Sequence, residues 1–260
     1  MLANINYEKT HKLNLYLDSE SPHITDSIHE LSNQINLKRK EQRNALKILL
    51  FNLFIFPAEK IRTPRAKKSL GAKRYNPLRI GYGGLRTALD ALDKHSLVVQ
   101  EVGLKDIESD ISKMTTIVAT RKLTEWFSRH QWTNKDINIA EQELVIYRAN
   151  NKSKDLLDYV DGERSLKLRK ELRKYNKLLN NSKIYLVGKN KQIEKEFNDL
   201  SLNRVFINHD MHSAPNIDLF AFGGRMYGPW CNLSEEQRKR IEIDNERTVE
   251  IDIESSHINA

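Results

Sequence analysis

The chain has 260 residues, 39% of them hydrophobic and 30% charged, enough for one or two domains with a buried core and many exposed helices. Its net charge of +8 favours an anionic partner, nucleic acid first, against the plainer reading of a basic soluble protein. A single cysteine, Cys231, excludes an internal disulfide framework and fits a reducing, cytoplasmic setting; no secretory signal opens the chain, and its longest apolar run, 48–57, is broken by Asn52 and too short to span a bilayer.

Residues 1–35 are polar, and the brief alternation of Leu13, Leu15 and Leu17 predicts a short strand or an ordered arm. The pattern changes at 36–56. Lys38, Arg39, Lys40, Glu41 and Arg43 lead into Ala45, Leu46, Ile48, Leu49, Leu50, Leu53 and Phe54, a three-and-four spacing that predicts a helix with a wide buried face, ended by Pro57. The stretch 60–86 is the most biased in the chain. It carries nine bases (Lys60, Arg62, Arg65, Lys67, Lys68, Lys73, Arg74, Arg79, Arg86) and no acid, punctuated by glycine and proline. An acid-free block of this kind repels itself and suits phosphate contact, although charge runs also serve as solvated faces.

After Gly83 and Gly84, the residues Leu85, Ala88, Leu89 and Leu92 form a helical stripe with Arg86, Asp90, Asp93, Lys94 and His95 opposite, and 96–103 then reads as a strand closed by glycine. A helix running straight into such a strand resembles the recognition helix and wing of winged helix-turn-helix domains, in which the helix enters a major groove while flanking bases hold phosphates. A plain helix–strand element fits the same spacing. Residues 101–112 form an acidic connector, and 115–118 turn into a helix over 119–130 with Leu123, Trp126 and Phe127 as core. One or two strands follow in 136–149, then a polar link at 150–154 that marks a domain boundary.

In 161–180 a charged helix is expected to point Leu166, Leu168, Leu172, Tyr175, Leu178 and Leu179 inward, and Lys167, Arg169, Lys170, Arg173, Lys174 and Lys177 outward, either toward nucleic acid or simply to solvent. A strand at 184–188, a short helix at 191–200 and a strand at 204–206 follow. His209, Asp210 and His212 invite a metal reading, but structural zinc sites take four ligands and no nearby residue completes this one. The chain has no Walker-type loop, zinc-finger pattern or nucleophile elbow, which removes ATPase, zinc-finger and serine-hydrolase classes.

The last forty residues or so hold Gly223-Gly224-Arg225-Met226-Tyr227, a charged helical turn through Arg238 and Arg240, and the alternation Val249-Glu250-Ile251-Asp252-Ile253 with Ser255, Ser256 and His257 after it. Together these resemble part of the palm of family A DNA polymerases and single-subunit phage-type RNA polymerases: a Gly-Arg motif followed by motif A, a strand ending in a metal aspartate. The resemblance implies that Asp252 holds Mg²⁺, with Mn²⁺ as a substitute, helped by the Ile253 carbonyl. It implies that Arg225 serves the reaction by gripping template or product, that Tyr227 packs on a sugar or base, and that Arg238 and Arg240 lie along the nucleic acid. His257 stands where family A enzymes usually carry glutamate. A palm also needs a second metal aspartate and a fingers helix; eight residues follow Asp252, so a protein partner or further sequence is expected to supply them.

The sequence therefore predicts a helix-rich α+β protein, with a winged-helix-like region over 1–150 and the beginning of a palm-like domain over 151–260. Its expected function is that of a nucleic-acid-binding, Mg²⁺-dependent nucleotidyltransferase, DNA favoured over RNA, with no membrane partner. The alternative is a non-catalytic DNA-binding regulator or replication-initiation factor of a phage or plasmid. A metal-dependent nuclease is disfavoured, because Asp252 and Glu254 on one strand face opposite ways.

Overall fold

In the computed structural model, which describes residues 10–64, 70, 72–103, 114–150, 154–188, 192–197, 201–208, 218–221 and 223–249, the first helix begins where Pro22 follows Ser21. Proline is tolerated at a helix start because its missing N–H has no partner there in any case. This helix, α1 (Pro22–Gln34), buries Ile24, Ile28 and Leu31 and falls where a strand or arm was expected; its polar composition hides the three-and-four spacing. Two short strands precede it, β1 (Thr10–Lys12) and β2 (Leu17–Asp18).

The chain divides into two units, Met1–Gln142 and Glu143–Ala260. Unit 1 is built around α2 (Lys40–Ile55), whose Ala45, Leu46, Ile48, Leu49, Leu50, Phe51 and Leu53 are fully buried. Each large apolar side chain contributes on the order of 1.5–3 kcal/mol, opposed by conformational entropy. The polar intruder Asn52 is satisfied: Asn14 N donates to its Oδ1 at 2.8 Å, and its Nδ2 donates to Asn14 O at 2.9 Å and Ile48 O at 2.8 Å. Then come β3 (Lys60–Thr63), a 3₁₀ turn at Lys73–Tyr75, α3 (Tyr82–Lys94), β4 (Val98–Glu101), β5 (Thr115–Ala119), α4 (Arg121–Arg129) and β6 (Asn138–Ile139). Strand order in the main sheet is β1-β3-β5-β4, parallel only between β1 and β3; β2 pairs with β6 apart from it. Trp126 and Phe127 are buried as predicted, packed with Trp132, whose Nε1 donates to Ser27 Oγ at 3.0 Å and ties the end of α4 to α1.

Unit 2 contains β7 (Val145–Arg148), α5 (Glu163–Asn180), β8 (Ile184–Val187), β9 (Ile193–Glu196), β10 (Asn203–Ile207), β11 (Arg225–Tyr227), α6 (Glu235–Arg238), β12 (Ile241–Ile243) and β13 (Glu246–Arg247). Two sheets share it, β11-β10-β7 and β13-β12-β8-β9. The polar link at 150–154 falls inside this unit. Leu179 and Trp230 pack against the clusters of both sheets. The helix expected over 191–200 is instead strand β9: antiparallel pairing with β8 and burial of Phe197 override the helical preference of its Glu and Lys residues.

α5 also corrects the sequence reading. Leu166, Tyr175 and Leu178 are exposed, whereas Arg169, expected outward, is buried. Arg169 donates to both Glu143 carboxylate oxygens at 3.0 and 3.1 Å, to Asp161 Oδ1 at 2.8 Å and to Tyr159 Oη at 3.2 Å. Burial acts against its charge, but the hydrogen bonds to Glu143 and Asp161 more than offset this and raise its pKa above the ordinary arginine value. The whole is α+β, with six α-helices and open sheets among the described residues.

Candidate nucleic-acid interface

α3 is amphipathic. Leu85, Ala88, Leu89 and Leu92 face the core, while Gly83, Arg86, Thr87, Asp90, Asp93 and Lys94 are exposed along the opposite face. Its N-terminal half is the basic half, since both acids lie in the last two turns. Close packing on α2 sets its position: a Cβ at Gly84 would stand 2.7 Å from Glu41 Cγ and 3.0 Å from Glu41 O. Glu41 Oε1 also accepts from Gly84 N at 3.3 Å. That carboxylate occupies the amide end of α3, so an anionic ligand would meet this helix through side chains.

The approach to α3 is held by Asn76, whose side chain bonds Ile80 N at 2.9 Å and Ile80 O at 2.8 Å, and by Asn44 Nδ2 donating to Leu78 O at 3.0 Å. Lys73 and Arg79 are exposed on this segment and Arg74 is half-buried. Arg79 takes a positive φ of 50°, an unusual conformation for a non-glycine residue. Arg86 lies 3.6 Å from Asp90, an exposed i,i+4 pair worth a few tenths of a kcal/mol at most, about 0.3–0.5. Lys60 donates to both oxygens of Glu101 at 2.9 and 2.8 Å, so it ties β3 to the end of β4. Arg65, Lys67 and Lys68 lie outside the described residues.

The site gains bases that the sequence reading did not assign to it. Arg39 and Lys40 are exposed at the start of α2, and the Glu41–Gly84 contact places that start beside the start of α3. The signal was visible as the run Lys38-Arg39-Lys40; only the packing shows which helix it adjoins.

In unit 2 the Gly-Arg segment forms a built turn. Gly223 and Gly224 have φ of 71° and 91°, where a side chain is strained, and a Cβ at Gly224 would stand 2.4 Å from Phe206 Cε1. Arg204 closes the turn, donating to Gly224 O at 3.1 Å and Gly223 O at 3.2 Å while its guanidinium lies 5.3 Å from the Phe206 ring centre. No protein-family model matches the chain, and neither a curated protein nor a solved structure is detectably similar to it.

β11 lies at a sheet edge, with Arg225 opposite Val205 and Tyr227 opposite Asn203. Arg225 and Tyr227 are both exposed, and the guanidinium stacks 5.6 Å from the Tyr227 ring centre. Such a pair offers a cation and an aromatic face together. Arg238 and Arg240 are engaged in the local fold: Arg238 Nη1 donates to Leu233 O at 2.8 Å, and Arg240 Nη1 to Val187 O at 2.9 Å and Glu194 Oε2 at 2.8 Å. Asp252, Ile253 and His257, with His209, Asp210 and His212, lie outside the described residues. Among the described residues no group of three or more His, Cys, Asp or Glu is arranged to hold a metal ion, and no helix is long and apolar enough to cross a membrane.

Proposed function

We propose that the protein binds nucleic acid, with unit 1 docking on duplex DNA through the N-terminal half of α3 in the manner of winged helix-turn-helix domains. The observation that carries this reading is the order helix α2, strand β3, helix α3, hairpin β4–β5, with β5 between β3 and β4 in the sheet and the outward face of α3 left to Gly83, Arg86 and Thr87. Arg86 would reach a base edge or phosphate; Lys73, Arg79, Arg39 and Lys40 would hold the flanking backbone. The test is fluorescence anisotropy of a labelled duplex across a salt series with Arg79→Ala/Arg86→Ala. Each lost phosphate contact lowers the slope of log K against log salt by about 0.9. An unchanged affinity and slope in a folded double variant would sink the reading.

A second reading rests on the Gly-Arg turn, whose geometry supports presentation of Arg225 and Tyr227 to a polynucleotide. In it the protein belongs to the template-directed nucleotidyltransferases, with Asp252 and the Ile253 carbonyl holding Mg²⁺, and the remaining palm elements come from a protein partner or further sequence. The metal would stabilise charge on the reacting phosphate oxygens. Primer extension with Mg²⁺ or Mn²⁺, comparing Asp252→Ala with the unaltered chain, decides it. Binding without extension in either would leave the non-catalytic DNA-binding regulator.

A further inference from the structure

We infer that α5 carries a second, separate nucleic-acid contact surface, a lysine stripe that tracks a sugar-phosphate backbone. Four lysines, Lys167, Lys170, Lys174 and Lys177, recur on α5 at spacings of three, four and three, and all are exposed. At about 100° per residue they fall within one narrow stripe, opposite the buried face of Ser165, Arg169, Leu172 and Asn176.

The stripe differs from the other charged helix faces of this chain. Arg86 pairs with Asp90, Arg121 with Glu125, and Lys239 with Glu235, each at i,i+4. Among the described residues no carboxylate bridges any of the four α5 lysines. Lys170 and Lys174 instead stand at i,i+4 as like charges, a spacing that weakens a helix unless something else neutralises it. The two acids of the helix are Glu163, on the same face one turn before Lys167, and Glu171, on the flank four residues after Lys167; among the described residues, neither forms an ion pair with a lysine of the stripe.

The dimensions suit one ligand chemistry. From Lys167 to Lys177 the helix axis advances about 15 Å. Over that distance one strand of a duplex presents about four phosphates, one per roughly 3.4 Å of axis. Leu166 and Leu178, 55% and 60% exposed, flank the stripe and offer apolar contact to sugars. Lysine ammonium groups on flexible stems adapt to a phosphate row without reading sequence, so this surface adds affinity and register but no sequence preference. The inference rests on the nucleic-acid reading above, but it stands on a different unit and different residues.

The test is the full chain with Lys167→Ala/Lys170→Ala/Lys174→Ala/Lys177→Ala, alanine being chosen because it keeps the helix. Anisotropy across a salt series should show a slope reduced by about 0.9 per contact on a duplex, or about 0.7 on a single strand. In the unaltered chain, saturating oligonucleotide should protect the four lysines from acetylation, read by mass spectrometry. Unchanged affinity and slope in the folded variant, or equal acetylation with and without oligonucleotide, overturns the inference. If Arg79→Ala/Arg86→Ala abolishes binding while the lysine variant does not weaken it, the α3 reading stands and this one falls. Binding to phosphatidylserine vesicles that the lysine variant loses, with oligonucleotide binding unaffected, would assign the stripe to a lipid surface and overturn it as well.

Discussion

Arg169→Met tests whether unit 2 depends on its buried ion-pair network. In the folded chain the Arg169 and Glu143 side chains are 10% and 8% exposed and joined by two hydrogen bonds, with Asp161, 34% exposed, as a further acceptor. Methionine fills similar volume but takes the Arg169 guanidinium away from the buried Glu143 carboxylate. Breaking one partner of such a pair typically costs about 3–5 kcal/mol. Here Glu143 Oε1 still accepts from Val145 N at 2.9 Å, which places the expectation at the lower end, about 3 kcal/mol, or roughly 150-fold in the folded-to-unfolded ratio. The assay is hydrogen exchange by mass spectrometry on peptides from β7 and α5, with urea unfolding of the full chain beside it. Adding Glu143→Gln removes the charge that Arg169 balances and keeps an oxygen for Val145 N. The double variant should therefore lose less than the sum of the two singles, by about 0.5–3 kcal/mol. A single variant that loses under about 1 kcal/mol, or a strictly additive double, refutes the reasoning.

Three further outcomes follow from the same geometry. Gly84→Ala should destabilise unit 1 by about 1–3 kcal/mol, because its Cβ would press on the Glu41 backbone and side chain; Gly83→Ala, with open space at its Cβ, should be neutral or stabilising in the same thermal melt. Gly224→Ala should cost about 2 kcal/mol or more, from its positive φ and the Phe206 ring, and should speed exchange in β10 and β11. Asp136 is held below the ordinary carboxylate range by the Thr133 hydroxyl at 2.7 Å, helped by the Thr133 amide and His23. A depressed folded pKa contributes stability that is present above the ordinary carboxylate value and lost as pH falls through the folded one. Thr133→Val should move the Asp136 carboxyl titration upward by NMR and shrink that acid loss; an unmoved titration would show that the hydroxyl is not its cause.

Where local periodicity and burial agree, the sequence is readable. The apolar spacing of α2, the Leu85-Ala88-Leu89-Leu92 stripe of α3 and the buried Trp126 and Phe127 of α4 all appear where the pattern puts them. Long-range partners are what it conceals. Arg169 is buried because Glu143, far away in sequence, meets it, and no window over α5 contains that information. β9 is a strand because β8 offers it a ladder, against the helical leaning of its charged residues. α1 was hidden by Ser, His, Asp and Asn, although Ile24, Ile28 and Leu31 sit at helical intervals. In the candidate interface the basic residues were plain from composition. Which were already engaged, as Lys60 is with Glu101 and Arg240 with Glu194, emerges only from the pairing of strands.

The two sheets of unit 2 are threaded alternately: the chain lays down β7 in one, β8 and β9 in the other, returns for β10 and β11, and leaves again for β12 and β13. Val145 must wait for Arg204, and Ile184 for Ile243, before either central pairing can close. Neither sheet is whole until late in synthesis: the first lacks a strand until β11 has emerged, and the second until the β12–β13 hairpin has. Pairings so remote in sequence carry a large loop-closure entropy and make folding slow. Unit 1 has remote pairings of its own, Ile61 with Ile117 and Leu17 with Ile139, but all of these strands precede those of unit 2, so the nascent protein could close the first unit while the second was still collecting its strands.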